Sequence, residues 1–338
     1  LHGSSAASDV YKRQYLFSLL FVTLFFNLDT YSQILPGMYG AAIKKGSGAV
    51  GGAVTGTRNF TNCGKGGSEG PSQSDCNTAY ASNDLNGEVT VTSGIQYWTV
   101  PTTGTYTITA IGATAGNEGE TSVYVGRPAK IIGDFSLTQG DVIKILVGQH
   151  GWKASCRPGW GGGGGTFVTK NDNTILLIAG GCGSSHTTIS NVNTWQDANT
   201  GESGNFNSGD THAAGTNGSG GGGNSSGGGG AGYSGDGTTG NSSTFSLCTG
   251  VPTQHTTPKS FLNGGVGDVI GGGFGGGAGV TNTWGGGGGG YSGGGGAISH
   301  PYAGAGGGSK NNGSNQTNTL NDIGTNKAEL DGSVVISW

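Results

Sequence analysis

Four glycine-dominated runs, Gly218–Gly232, Gly271–Gly279, Gly285–Gly290 and Gly293–Gly296, set the first limit on what this chain can fold into. Each glycine costs an α-helix about 1 kcal/mol relative to alanine, so no such run forms one. Nor do the runs carry the side chains that a conventional strand packs against its neighbours. Collagen is excluded because the glycines cluster instead of recurring at every third position. Of the 77 glycines in 338 residues, 55 follow His150, so the chain changes character there. Charged residues make up only 10%, which rules out an architecture of long surface helices. With 15 Lys and Arg against 19 Asp and Glu, the net charge of -4 is too acidic for general phosphate binding and excludes nucleic acid as the partner.

Two readings of the runs compete. One is a flexible linker, as composition alone suggests. The other is polyglycine II, a left-handed threefold helix rising about 3.1 Å per residue whose hydrogen bonds must come laterally from neighbours. Trp160, Tyr233, Phe274, Trp284 and Tyr291 interrupt the runs with apolar bulk that linkers rarely carry, which favours packed helices. By that rise Gly285, Gly286, Gly287, Gly288, Gly289 and Gly290 span about 19 Å, enough to cross a small bundle.

Before His150 the pattern is that of short strands. Glu88–Thr92, Ile95–Val100, Gly104–Ile111, Thr121–Val125, Lys130–Leu137 and Asp141–Val147 recur at the spacing of an antiparallel sandwich. Tyr106, Ile108 and Ala110 alternate with Thr105, Thr107 and Thr109, giving one apolar and one polar face. Later, Thr166–Lys170 and Thr174–Ala179 flank the three-residue turn Asn171-Asp172-Asn173. Ser333–Trp338 alternates Val334, Ile336 and Trp338; a lone terminal strand must pair with something, so it is expected to return to the first sandwich.

The amino terminus reads as an export signal. Tyr15–Phe26 is a twelve-residue apolar block, too short to span a bilayer. Thr30-Tyr31-Ser32 offers small residues at both positions a signal peptidase reads, so cleavage is expected before Gln33. A buried core helix is the competing reading. Residues 1–14 carry no initiator Met and read as translated adaptor sequence. No other stretch is apolar enough to span a membrane.

Phe60–Tyr80, Gly94–Ala113, Phe135–Gly151, Gly161–Gly183 and Gly271–Gly296 resemble, in the same order, the membrane-proximal extracellular region of the anaplastic lymphoma kinase and leukocyte tyrosine kinase receptors. The resemblance implies a tumour-necrosis-factor-like β-module with a glycine-rich insertion of packed polyglycine helices, and binding of small protein ligands. The receptors' transmembrane helix, kinase and EGF-like segment are not matched, so receptor signalling is not implied. Five cysteines in an exported chain point to disulfides with one thiol left over. Cys63 and Cys76 coincide with the family's pair, so the resemblance implies a bridge between them. Cys156 and Cys182 flank the Thr166 hairpin and are candidate partners; Cys248 is either free or paired with Cys182.

Catalytic motifs are sparse. Gly290-Tyr291-Ser292-Gly293-Gly294 fits the esterase pattern G-x-S-x-G, but no strand precedes it and no helix follows through the glycines. Gly264-Gly265-Val266-Gly267-Asp268 approaches a calcium-binding repeat with Asp one position early. The cysteines lack CxxC spacing and the histidines lack a ligand spacing, so neither a metal nor a cofactor is expected. Trp98, Tyr97 and Tyr124 fall within strands and read as core in preference to contact residues. Asn59, Asn217, Asn224, Asn241, Asn312 and Asn315 open Asn-x-Ser/Thr sequences.

The expected fold is all-β with polyglycine II helices: a jelly-roll-like β-sandwich carrying a glycine-rich insertion, with almost no α-helix. Residues 15–32 form the signal peptide, 33–59 a Gly/Ala-rich leader, 60–150 the sandwich (completed by 166–179 and 333–338) and 151–332 the glycine-rich region. The expected function is a secreted, non-enzymatic recognition or adhesion module for a protein or glycan partner. A self-assembling surface or matrix protein is the alternative.

Overall fold

The computed structural model describes residues 55–338 except 117–124, 154–158, 185–193, 207–212, 224–226, 241–253, 281–283, 298–302 and 324–328. The expected signal peptide, Cys156, Cys248, Tyr124 and most of the Thr121–Val125 strand lie outside the described residues.

Two antiparallel sheets make a sandwich. The first contains β1 (Thr57–Phe60), β4 (Gly104–Ile111), β5 (Ala129–Leu137), β10 (Ser314–Leu320) and β11 (Ser333–Ser337), in the order β1-β11-β4-β5-β10. The second contains β2 (Val89–Thr92), β3 (Ile95–Thr99), β6 (Val142–Leu146), β7 (Thr166–Lys170), β8 (Ile175–Ala179) and β9 (Lys310–Asn311), in the order β2-β3-β6-β7-β8-β9. The only α-helix among the described residues is α1 (Gln73–Ala79), and no described helix is long and apolar enough to cross a membrane.

Alternation in β4 does what period-two patterning requires: Tyr106, Ile108 and Ala110 are fully buried and face the partner sheet. Between the sheets Phe60, Trp98, Tyr106 and Trp338 form an aromatic knot, with ring centroids 5.2–6.3 Å apart. Tilted and edge-on pairings of this kind add to the burial of the rings themselves. Arg58 closes one end: its Nε and Nη2 donate to Glu88 at 2.9 and 3.2 Å while its guanidinium lies 5.3 Å from the Trp338 ring centre. The terminal strand β11 inserts between β1 and β4, with Val334 opposite Ala110 and Ile336 opposite Ile108.

The second sheet is buried on both faces along β7 and β8. Its outer face presents Ile95, Leu146, Phe167 and Ile178, which pack against Phe261 and Phe274 of the glycine region. That is why β8 reads Ile-Leu-Leu-Ile-Ala without alternation: a strand covered on both sides has no face to leave polar. Phe261 stacks on Phe167 at 5.1 Å and on Tyr233 at 5.6 Å, carrying the contact out to Tyr291.

Four elements depart from the sequence reading. β1 begins at Thr57, inside the expected leader, and helix α1 falls within the expected all-β segment. β9 and β10 fall within the expected glycine-rich region yet join one sheet each, β9 on β8 and β10 on β5, so this short stretch links the two sheets at one edge.

The glycine runs form a buried interior built from backbone. Around Gly285–Gly290 the hydrogen bonds repeat every three residues. Gly287 and Gly290 donate to Gly228 and Ala231 of one neighbouring run, at 2.9 and 3.2 Å. Gly286 and Gly289 accept from Ser184 and Gly181 of a second, and Gly285 and Gly288 accept from Ala297 and Gly294 of a third. Gly288 donates to Ala305, Gly289 donates to Gly163 and Gly287 accepts from Ala278, so one run bonds to six others. A Cβ placed on Gly286, Gly287, Gly288, Gly289 or Gly290 would collide with a neighbouring carbonyl, and one on Gly285 with the Ser184 side chain. Only hydrogen fits.

Candidate binding surface

Where the glycine region meets the sandwich, a loop closed by the Cys63–Cys76 disulfide lies across the seam. The bridge expected from the family resemblance is present. Ser72 caps α1: its Oγ accepts from the Asp75 amide at 3.2 Å, and its own amide donates to Asp75 Oδ2 at 2.8 Å. The bonds that the Ser72 amide and then its hydroxyl donate to Asp75 Oδ2 hold the Asp75 carboxyl below its usual range. One turn of side-chain mimicry then ties α1 to the sheet. Gln73 Oε1 accepts from the Val91 amide at 2.7 Å and its Nε2 donates to the Val89 carbonyl at 3.0 Å, so a glutamine amide occupies the open edge of β2.

The loop's carbonyls grip the glycine region. Gly67 O accepts from Phe274 N and Ser68 O from Gly267 N, both at 2.8 Å, while Glu69 O accepts from Gln149 Nε2 at 3.2 Å. Gly70 and Gly94 touch backbone to backbone over the Phe274 ring, and a Cβ on either would overlap both. Gly94 has φ +78 in the β2–β3 turn, a second reason for glycine there.

A groove of about 440 Å³ opens along this seam. Val91, Pro71, Val266 and Phe274 line it with apolar surface, and Lys65, Glu69 and Asp75 supply charge. Its size and mixed lining suit a small ligand or a few side chains of a larger one. Next to the loop, His150 Nδ1 lies 2.8 Å from Asp331 Oδ1 and its Nε2 3.8 Å from Glu329. Asn62 Nδ2 donates to Asp331 Oδ2 at 2.5 Å, so the carboxylate couples the disulfide loop to the lead-in of β11. The hydrogen bond to Asp331 raises the His150 pKa above the ordinary histidine value, with burial opposing it.

The remaining candidate residues have structural surroundings. Ser292 of the G-x-S-x-G motif is fully buried and its Oγ accepts from the Gly218 amide at 3.1 Å. Asp268 of the calcium-like motif is buried too. It accepts from Thr256 N and Ile270 N and sits 2.6 Å from His255 Nδ1. Among the described residues no three His, Cys, Asp or Glu side chains cluster as metal ligands. Trp98 is 1% exposed, in the aromatic knot; Tyr97 is half-buried with Lys144 Nζ 5.9 Å from its ring centre.

The expected Cys156–Cys182 bridge is corrected. Cys182 is a free, fully buried thiol whose Sγ donates to the Gly126 carbonyl at 2.8 Å. Flanking a hairpin in sequence did not place it for pairing: it sits with Ala115 and Val125 instead. Burial, and then the Asp197 carboxylate, push the thiol well above its ordinary pKa, which leaves it unreactive. The seam itself was missed by the sequence reading. Its only early signal was Ser72-x-x-Asp75, a capping-box spacing.

No protein-family model matches the chain. A stretch of 98 residues, 28% of the chain, is 35% identical to the leukocyte tyrosine kinase receptor of Mus musculus. That stretch covers 11% of the receptor, so the chain spans about a tenth of this curated relative and is similar to one part of it.

Proposed function

We propose that the protein is an exported, non-enzymatic recognition module in which a β-sandwich and a rigid polyglycine bundle present the seam groove to a protein or glycan partner. The observation that carries this reading is the groove itself, walled jointly by the disulfide-closed loop and the glycine region. The Cys63–Cys76 bridge supports export, because disulfides persist in oxidising compartments. Likeness to part of a receptor supports recognition in preference to catalysis. The three-residue repeat of lateral hydrogen bonds around Gly285–Gly290 supports polyglycine II geometry. Rigidity matters to the function because a preorganised surface loses little freedom on binding. The glycines contribute shape but no side chains, so discrimination falls to the loops of the sandwich at the seam.

The test is a screen of extracellular-protein and glycan arrays with the wild-type chain and Glu69→Trp, which fills the groove from an exposed position. A partner bound by wild type and lost in Glu69→Trp, with the melting temperature unchanged, is the expected result. Arrays whose hits are all insensitive to Glu69→Trp would refute the groove as the binding surface. Sedimentation velocity separates the rival structural role: the recognition module stays monomeric as concentration rises, whereas a matrix protein grows in mass without a partner.

A further inference from the structure

Four of the Asn-x-Ser/Thr sequences have described asparagines, and their surroundings differ. Asn312 Nδ2 donates to the Ile175 carbonyl at 3.0 Å, and Asn315 Nδ2 donates to Asp134 Oδ2 at 2.8 Å. Both amides are engaged against the sandwich, where a bulky substituent would have to displace β8 or β5 contacts. Asn59 is exposed but lines a cleft of about 150 Å³ with Asn83, Asp84 and Leu85, beside the Arg58 clasp.

Asn217 is different. Exposed like the other three, it has no side-chain hydrogen bond to a described residue, and it sits at the tip of the turn Thr216-Asn217-Gly218-Ser219, closed by a 3.0 Å bond from Ser219 N to Thr216 O. Both central residues have positive φ, +51 and +86, the requirement of the type I′ turn that Asn-Gly favours. The base of the turn is anchored. Gly218 N donates to the buried Ser292 Oγ at 3.1 Å, and Gly218 O accepts from Ser234 N and Gly235 N at 2.9 and 3.0 Å. An exposed side chain thus stands on a fixed backbone, leaving room for a large group and no contact for it to break.

We infer that Asn217 is the acceptor of an N-linked oligosaccharide; this rests on the reading that the chain is exported. In the transfer, Asn217 Nδ2 forms the bond to the sugar C1 and loses a proton, and the bond from C1 to the phosphate of a polyprenyl-diphosphate oligosaccharide breaks, releasing the lipid diphosphate. The glycan marks the glycine-region turn as a face left free of protein partners, apart from the seam groove.

The experiment is expression of the full chain behind a host secretion leader in a eukaryotic secretory host, with intact-glycopeptide mass spectrometry. Asn217 is expected to be occupied in most molecules, with Asn312 and Asn315 bare. Asn217→Asp, which keeps a residue tolerant of positive φ, should remove the gel shift of one glycan and leave the melting temperature unchanged; Ser219→Thr should retain it. Secreted protein with Asn217 bare, or with equal occupancy at Asn217, Asn312 and Asn315, would overturn the assignment. Because the added leader delivers the chain to the transferase, failure of the native amino terminus to direct export counts against the export reading alone.

Discussion

The sandwich and the glycine region both exclude water from backbone hydrogen bonds, by opposite means. In the sandwich, side chains do it: Trp98, Tyr106, Ile108, Ile131, Ile143 and Leu177 fill the space between two ladders. In the glycine region the backbone is its own filling, with Gly285–Gly290 buried among six other runs and bonded to all of them. The consequence is a difference in tolerance. Side-chain cores accept volume-conserving exchanges because neighbours repack. A carbonyl facing a glycine Cα cannot repack without moving its whole run, so even one methyl is too large.

The largest effect should come from uncoupling the two regions. Replacing both Cys63 and Cys76 with serine removes a loop closure worth about 3 kcal/mol by chain entropy. It also frees the carbonyls of Gly67, Ser68 and Glu69 that grip the glycine region. A denaturant midpoint lowered to match, with early protease cutting between residues 64 and 75, is the expected outcome. An unchanged midpoint would show that the loop does not join the regions.

Gly287→Val sharpens the contrast. Its side chain would meet the Gly294 carbonyl and the Gly230 amide, and overpacking of this sort costs about 1–3 kcal/mol. Gly66→Ala is the matched control, since a Cβ there meets nothing within 4 Å and should shift stability by less than about 0.5 kcal/mol. Equal melting temperatures for the two variants would contradict a packed interior.

The smallest effect is one of pH. The folded pKa of His150 is raised by its bond to Asp331, with Glu329 adding to it. Its contribution is therefore complete below the unfolded value of about 6.5 and is lost as pH rises through the folded value. Urea midpoints should fall across that window in the wild type, and the fall should flatten in His150→Gln. A wild-type midpoint that rises there would reverse the assignment.

Legibility in the sequence followed the same division. β4, β7 and β8 were readable because apolar residues mark which face, or both faces, are buried. β10, Ser-Asn-Gln-Thr-Asn-Thr-Leu, was not: it is an exposed edge strand held to β5 by backbone, and polarity carries no strand signal there. β1 buries only Phe60 of its four residues, and α1 only Cys76 of its seven, so neither shows a period. The groove was illegible because residues 65–75, 91–94, 266 and 274 meet only through packing. Glycine composition alone suggested a linker and the interrupting aromatics favoured packed helices; the lateral bonding partners are a tertiary property that no local window contains.

Native-state hydrogen exchange at the amides of Gly287, Gly288, Gly289 and Gly290 tests the central claim most directly, because each donates to a different backbone carbonyl across a buried interface. The account predicts protection of the same order as that of the β4 and β5 amides, lost only in global unfolding. Exchange at the rate of an open chain, with β4 and β5 still protected, would contradict it and return the runs to a flexible linker.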